Sequence, residues 1–249
     1  MRRVIIVQAR MTSTRLPGKV MMDVAGRPML AQQLRRLKRC ALADAICVAT
    51  TTNSADQPLV TLAHREQVQC FRGSEADVLG RFVGAARASA ADVVVRVTAD
   101  CPLVDPGIVD GVIRDLITHT NECDYASNVL HRTFPRGLDA EALFLDTLLR
   151  VDRLASSPTA REHVTTFIYA ERPDLFLMRS VRDREDNSTL RWTVDTAADL
   201  SLIRALYDGM DLGNRLASYQ EILAYVKDHP EVSQLNVGIE TWEPPGMRA

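Results

Sequence analysis

Between Gln8 and Lys19 the chain carries three permanent cations, Arg10, Arg15 and Lys19, together with the hydroxyls of Thr12, Ser13 and Thr14. This segment follows an apolar run, Val4-Ile5-Ile6-Val7, of the kind that forms a strand covered on both faces. The guanidinium fork matches phosphate oxygens, and hydroxyl and backbone donors complete the set. Cations placed at the end of a buried first strand are suited to surround a triphosphate; the competing reading is a solvated basic loop. The glycine spacings of a Walker loop or a dinucleotide fingerprint are absent.

Two carboxylates stand out by subtraction. After the β-branched run 93–97 comes Thr98-Ala99-Asp100-Cys101-Pro102-Leu103-Val104-Asp105-Pro106. Asp105 and Pro106 read as the N-cap and first residue of a helix. Asp100 has no such task, and a carboxylate beside a triphosphate is a hard ligand for magnesium. Further on, 190–194 reads as a strand, followed by Asp195-Thr196-Ala197-Ala198-Asp199. Thr196 and Asp199 resemble a capping box. Asp195 is left over, as a second metal-binding carboxylate.

Two more groups of residues invite a ligand. In Arg72-Gly73-Ser74-Glu75-Ala76-Asp77, Gly73 lets the backbone approach a flat base. Ser74 is read there as the cap of the next helix, with Asp77 at its third position. In Leu138-Asp139-Ala140-Glu141-Ala142, strand alternation puts Asp139 and Glu141 on one face. His131, Arg132, Arg136, Arg161 and His163 lie near them in sequence. Such a mixed pocket suits an acceptor with an anionic group, clamped by Arg136 or Arg161, and hydroxyl or ammonium groups bound by Asp139 and Glu141. Acidic nonulosonic sugars, aminophosphonates and amino acids all fit.

The elements that must hold these residues alternate. Strands are expected at 4–7, 45–49, 68–71 and 93–97, with helices at 28–37, 59–64, 78–88 and 108–117. Strict alternation means right-handed βαβ units and a mostly parallel sheet. Open sheets of this kind bind ligands outside the carboxyl ends of their strands, where Arg10, Gly73 and Asp100 fall. After about residue 120 the pattern changes. Strands are expected at 124–128, 138–144, 176–181 and 190–194, helices at 145–154, 159–169, 197–207 and 219–227, and an irregular tail from residue 229. The reading is one domain over 1–249 with an excursion at about 125–181.

Composition narrows the class. The chain has 249 residues and a net charge of −2, which argues against a dedicated nucleic-acid binder. Its five cysteines are odd in number and form no C-x-x-C pair, so neither a disulfide frame nor a zinc site is indicated. The first apolar run is too short for a signal peptide or a membrane span, and a cytoplasmic location is expected.

The loop Ser13-Thr14-Arg15-Leu16-Pro17-Gly18-Lys19, read with Thr98-Ala99-Asp100-Cys101-Pro102-Leu103 and Thr193-Val194-Asp195-Thr196, resembles the CMP-sugar synthetases, the cytidylyltransferases acting on Kdo and sialic acids. Ala49-Thr50-Thr51-Thr52, Arg72-Gly73-Ser74-Glu75, Gly137-Leu138-Asp139-Ala140-Glu141 and Arg161-Glu162-His163-Val164-Thr165 resemble the branch of spore coat polysaccharide biosynthesis protein F. The resemblance covers nearly the whole chain. It implies a Rossmann-like, mostly parallel sheet with helices on both faces and a small dimerisation excursion, hence a homodimer. It implies that Arg10, Ser13, Arg15 and Lys19 bind CTP phosphates, that Gly73 and Ser74 lie against cytosine, and that Ala9 and Thr50 belong to the same nucleotide site. It also implies that Asp100 and Asp195 hold Mg2+. The acceptor motifs of the Kdo enzymes are replaced by 137–141 and 161–165.

The reaction so implied is in-line attack of an acceptor oxygen on the α-phosphorus of CTP, expelling pyrophosphate, with catalysis by positioning and charge neutralisation from Arg10, Lys19, Asp100 and Asp195. An ionised acceptor needs no base; a hydroxyl would need one, from a metal-bound water or His131. The rivals are a nucleotide-sugar glycosyltransferase, disfavoured by the lack of Asp-x-Asp at 100–102, and a non-catalytic nucleotide-binding subunit.

Overall fold

Alternate residues of the first strand face two separate cores. Val4 and Ile6 pack with one apolar cluster, Ile5 and Val7 with the other, and all four are fully buried. A strand covered on both faces sits in the middle of a layered fold. The computed structural model describes residues 1–239 and supplies those layers.

Strand β1 (Arg3–Gln8) is followed by a 3-10 turn (Lys19–Met21) and a small hairpin, β2 (Asp23–Val24) and β3 (Arg27–Pro28). Then come α1 (Met29–Leu37), β4 (Ala45–Thr51), α2 (Gln57–Arg65), β5 (Gln69–Gly73), α3 (Val78–Ala88), β6 (Val93–Thr98) and α4 (Pro106–Thr118). The second half contains β7 (Tyr125–Ser127), β8 (Glu141–Phe144), α5 (Leu145–Leu154), α6 (Pro158–His163), a π-helix (Phe167–Glu171) and β9 (Met178–Ser180). It closes with α7 (Ala197–Gly209), α8 (Tyr219–Asp228) and α9 (Pro230–Gln234).

Seven strands form the main sheet in the order β5-β4-β1-β6-β8-β7-β9. The pairs β5–β4, β4–β1 and β1–β6 are parallel; β6–β8 and β8–β7 are antiparallel. Helices α1, α2, α4, α7 and α8 contribute to one core, and α3 and α5 to the other. The α/β class, the mostly parallel sheet and the helices on both faces are as the sequence implies. From β1 the strand order runs outward through β4 on one side and through β6 on the other. The crevice beyond the carboxyl ends of β1 and β6 is therefore the switch point, where such sheets bind ligands.

Polar side chains of α1 fix the loop beyond β6. Gln33 Nε2 donates to the carbonyl of Thr98 at 2.7 Å, and Arg36 Nε to that of Val104 at 2.7 Å. Asp105 caps α4, as expected, and its other oxygen accepts the N–H of Tyr219 at the start of α8. Thr196 and Asp199 form the expected capping box of α7.

Four expectations need correcting. Residues 190–194 form no strand; Arg191 makes only an isolated bridge to Arg136, because its neighbours are loops rather than a sheet edge. The strand expected over 138–144 is confined to β8, since the Asn128 side chain bonds the backbone of Leu138 and Ala140 in place of a ladder. The helix expected over 159–169 breaks at Val164, whose φ is 59°. The tail holds the short helix α9, begun by Pro230; its last residues, 240–249, lie outside the described residues. The segment 125–181 adds β7, β8 and β9 to the main sheet. All five cysteines are free thiols, and burial raises those of Cys47 and Cys123 to about 11. Among the described residues no helix is long and apolar enough to cross a membrane.

Candidate active site

The cationic loop leaves β1 and is tied down at both ends. The Met11 N–H donates to Asp56 Oδ1 at 2.7 Å, and the Gly18 N–H returns to the Met11 carbonyl at 2.9 Å. Gly18 has φ 71°, a left-handed conformation that suits glycine at the point where the loop turns back. The 3-10 turn that follows aims Lys19 into the crevice.

Lys19 Nζ donates to Asp195 Oδ1 at 2.9 Å, to Asp100 Oδ2 at 3.3 Å and to the Val194 carbonyl at 2.6 Å. Burial works against its charge, but the two carboxylates outweigh that and raise its pKa. Burial likewise works against the Asp100 carboxylate. Lys19 and the Thr98 hydroxyl, which donates to Asp100 at 2.6 Å, reverse this and hold its pKa below the usual range. Asp195 also accepts Arg15 Nη2 at 2.9 Å and Arg191 Nη2 at 2.8 Å. The structure thus joins Arg15, Lys19, Asp100 and Asp195, drawn from three distant segments, in one ion-paired cluster.

The rest of the expected nucleotide site is divided. Arg10 approaches Glu75 at 3.8 Å and Thr12 donates to Glu75 at 2.5 Å, so the loop leans over the segment after β5. Ala9 is buried, bonded through its N–H to the Ala49 carbonyl, and Ser13 is half-buried in the loop. Thr50 is fully buried, with its hydroxyl donating to Asp56. The space where Gly73 lacks a Cβ is occupied by Arg81 and Phe71, at 3.0 and 3.1 Å. Asp77, not Ser74, caps α3, accepting the Gly80 N–H; the Ser74 hydroxyl instead accepts the Asp77 N–H.

Next to the carboxylates opens a cavity of about 230 Å3. Arg15, Thr98, Asp100 and Asp195 line one part of it. Arg136, Asp139, Glu141 and His163, all expected at the acceptor, also line it. Arg132 grips Asp139 with both guanidinium nitrogens, at 2.6 and 2.9 Å. Glu141 is buried, paired with Arg96 and bonded by the Tyr125 hydroxyl. Gly137 has φ 104°, and a Cβ there would stand 2.5 Å from the backbone of Trp192 and Thr193.

Two expected acceptor residues lie elsewhere. Arg161 is bidentate to Asp77, at 2.6 and 2.9 Å, and reaches Asp152 at 2.8 Å, which joins α3 and α5. His131 lines a different cavity, with Leu130, Met178 and Arg179. Sequence reasoning missed Asp56, Arg96, Tyr169 and Arg191. Arg96 carried a signal, as a charge inside the otherwise apolar run Val93–Thr98.

A lysine thus lies between two carboxylates at the switch point of the sheet, beside a loop that carries two arginines. Residues 4–223 match the cytidylyltransferase family. The chain is 34% identical over 236 residues to an uncharacterized protein of Methanocaldococcus jannaschii, covering 94% of each. It is 30% identical to the spore coat polysaccharide biosynthesis protein SpsF of Bacillus subtilis, covering 92% of this chain and 95% of that one. A solved cytidylyltransferase from Leptospira borgpetersenii superposes with a TM-score of 0.89 at 30% identity, over 98% of this chain and all of the other. The chain belongs to the cytidylyltransferase family.

Proposed function

We propose that this enzyme transfers CMP from CTP to a small anionic acceptor, with Mg2+ and with release of pyrophosphate. The observation that carries this reading is the junction at Lys19: its ammonium touches both Asp100 and Asp195, and both carboxylates line the polar cavity.

Magnesium is commonly held by one or two carboxylates together with substrate phosphates. Asp100 and Asp195 fit that pattern: they are hard donors that already converge on one cation, the Lys19 ammonium. When bound, the ion would neutralise charge at the α-phosphate. Arg10, Ser13 and Arg15 bind the phosphates, and Lys19 takes up the charge of the departing pyrophosphate. In the cavity, an arginine such as Arg136 orients the acceptor's anionic group, and Asp139 and Glu141 accept from its donors. The reading carries a cytoplasmic homodimer joined through 125–181, where β9 is the edge strand and Leu177 is exposed.

Incubation with CTP, Mg2+ and a panel of acidic sugars, aminophosphonates and amino acids, with pyrophosphate measured, tests the activity. CTP should stabilise the fold more than ATP or GTP; equal shifts from all three would overturn cytosine selectivity. A monomer mass at micromolar concentration would overturn the dimer.

A further inference from the structure

The end of α1 and the starts of α4 and α8 bound a cavity of about 820 Å3. No residue lines both this cavity and the one that holds Asp100 and Asp195. Its volume lies within the range of small-molecule sites. Four cations from one stretch of chain, Arg35, Arg36, Lys38 and Arg39, line it, against a single carboxylate, Asp105. Basic residues at the end of α1 complement the helix dipole, which accounts for Lys38 and Arg39 at the surface. It does not account for Arg36, which is buried.

Arg36 is only 1% exposed, and a charge so buried is ordinarily paired. Its Nε donates to the Val104 carbonyl at 2.7 Å and its Nη2 to the Ala217 carbonyl at 2.9 Å. Its ion pair with Asp105 Oδ2 is long, at 4.0 Å. Both oxygens of that carboxylate are already engaged, by the N–H groups of Ile108 and Tyr219, at 3.1 and 2.7 Å. Nη1 is buried and has no hydrogen-bond partner among the described residues. Burial lowers the pKa of the guanidinium, a penalty that an anion in the cavity would offset.

The rest of the wall adds to this. Arg39 is exposed and takes part in no ion pair among the described residues. Lys38 is exposed too, and its pairing with Glu66 at 3.0 Å is of the kind that solvent weakens. Arg35 braces the Gly213 carbonyl at 2.9 Å. Gly107 is the second residue of α4, where a helix has no internal acceptor for the N–H. Pro106, Leu216 and Ala217 supply apolar surface beside these donors.

We propose that this cavity is a second ligand site, for a small organic phosphate held by Arg36 and the exposed cations beside it, with its apolar portion along Pro106, Leu216 and Ala217. A phosphate group offers acceptors to several donors at once, from guanidinium and from a helix start. The inference stands apart from the cytidyl-transfer reading and needs neither CTP nor a metal. Arg36 ties the site to the fold behind it. One turn earlier on α1, Gln33 holds the Thr98 carbonyl, and Asp100 lies between Thr98 and Val104. A ligand that engages Arg36 therefore bears on the segment that carries Asp100.

The test is isothermal titration of the full chain with phenyl phosphate, and with inorganic phosphate beside it. Phenyl phosphate should bind about tenfold more tightly than inorganic phosphate, because its ring adds apolar contact. Arg39→Glu, at an exposed position, should weaken it at least about tenfold, the loss expected for a hydrogen bond to a charged group. Arg15→Ala, in the loop after β1, should leave the affinity unchanged. With phenyl phosphate bound, hydrogen exchange should slow in peptides covering 35–39, 98–108 and 214–218. Arg36→Met should abolish binding; it also takes a donor from Val104 and Ala217, so Arg39→Glu decides if that variant unfolds. Equal affinities in wild type and Arg39→Glu, loss of binding in Arg15→Ala, or protection confined to 8–19 would overturn the site. So would a protein that sediments with phosphatidylglycerol vesicles yet ignores phenyl phosphate, since the phosphate recognised would then be a lipid headgroup.

Discussion

Asp56 accepts the backbone N–H of Met11 at 2.7 Å and so fastens the cationic loop to the end of β4. Its second oxygen collects the hydroxyls of Thr50 and Thr51, at 3.0 and 2.5 Å. Asp56→Ala removes all of these at once and leaves buried donors without partners, at a cost of about 1–3 kcal/mol. The loop loses its registration as well. Thermal unfolding should therefore show lower stability, and CTP titration a weaker affinity. Full stability with unchanged CTP binding would show that the loop is held by other means.

Lys19 separates two carboxylates that would otherwise repel. Lys19→Met should lose at least about a hundredfold in turnover, as expected for loss of charge stabilisation in the transition state. In the same variant Mg2+ should raise the melting temperature more than it does in wild type, because a bound cation then replaces the missing ammonium. Equal shifts in the two proteins would mean that the ion binds away from Asp100 and Asp195.

Arg161 joins α3 to α5 through Asp77 and Asp152, at partly exposed positions. Arg161→Ala is expected to cost no more than about 1 kcal/mol, as partly exposed pairs do. It should leave the acceptor KM unchanged. A raised acceptor KM at unchanged stability would return Arg161 to the binding site.

Acid should destabilise the fold through Asp199. Burial raises the pKa of this carboxyl, but Arg191 and Asn236 reverse the effect and hold it below the usual carboxylate range. A depressed folded pKa contributes stability that is complete above the unfolded value, near 3.9, and is lost as pH falls through the folded one. Urea midpoints should drop on going from pH 6 towards pH 3. Asp199→Asn should start about 1.5–3 kcal/mol lower, because Arg191 loses a charged partner but keeps Asp195, and should lose less on acidification. Parallel pH curves would show that Asp199 carries none of the linkage.

The parallel half of the fold was legible because burial on both faces writes itself into the sequence. β1, β4 and most of β6 are apolar runs, whereas β5 is half-buried at the sheet edge; α3 and α5 begin and end where their periodicity does. Asp100 and Asp195 were visible by elimination, since Asp105, Thr196 and Asp199 have local tasks that the structure confirms. Residues 190–194 have the pattern of a strand, but what such a pattern records is burial: Trp192 and Val194 enter the main core without the segment joining the sheet. Nothing in 159–169 marked the break, for no glycine or proline stands at Val164. Arginine type alone could not separate Arg132, which faces the cavity, from Arg161, whose partner Asp77 lies 84 positions away.

Gly137 places the backbone of the segment before β8 directly against that of Trp192 and Thr193. Neither segment of this crossing can be altered without the other: even a methyl group at 137 would wedge the two apart. The 137–141 segment and the carboxylate at Asp195 are therefore held in a fixed relation to each other. New acceptors would be reached by exchanging side chains around a fixed crossing, while the length and path of the loop stay as they are.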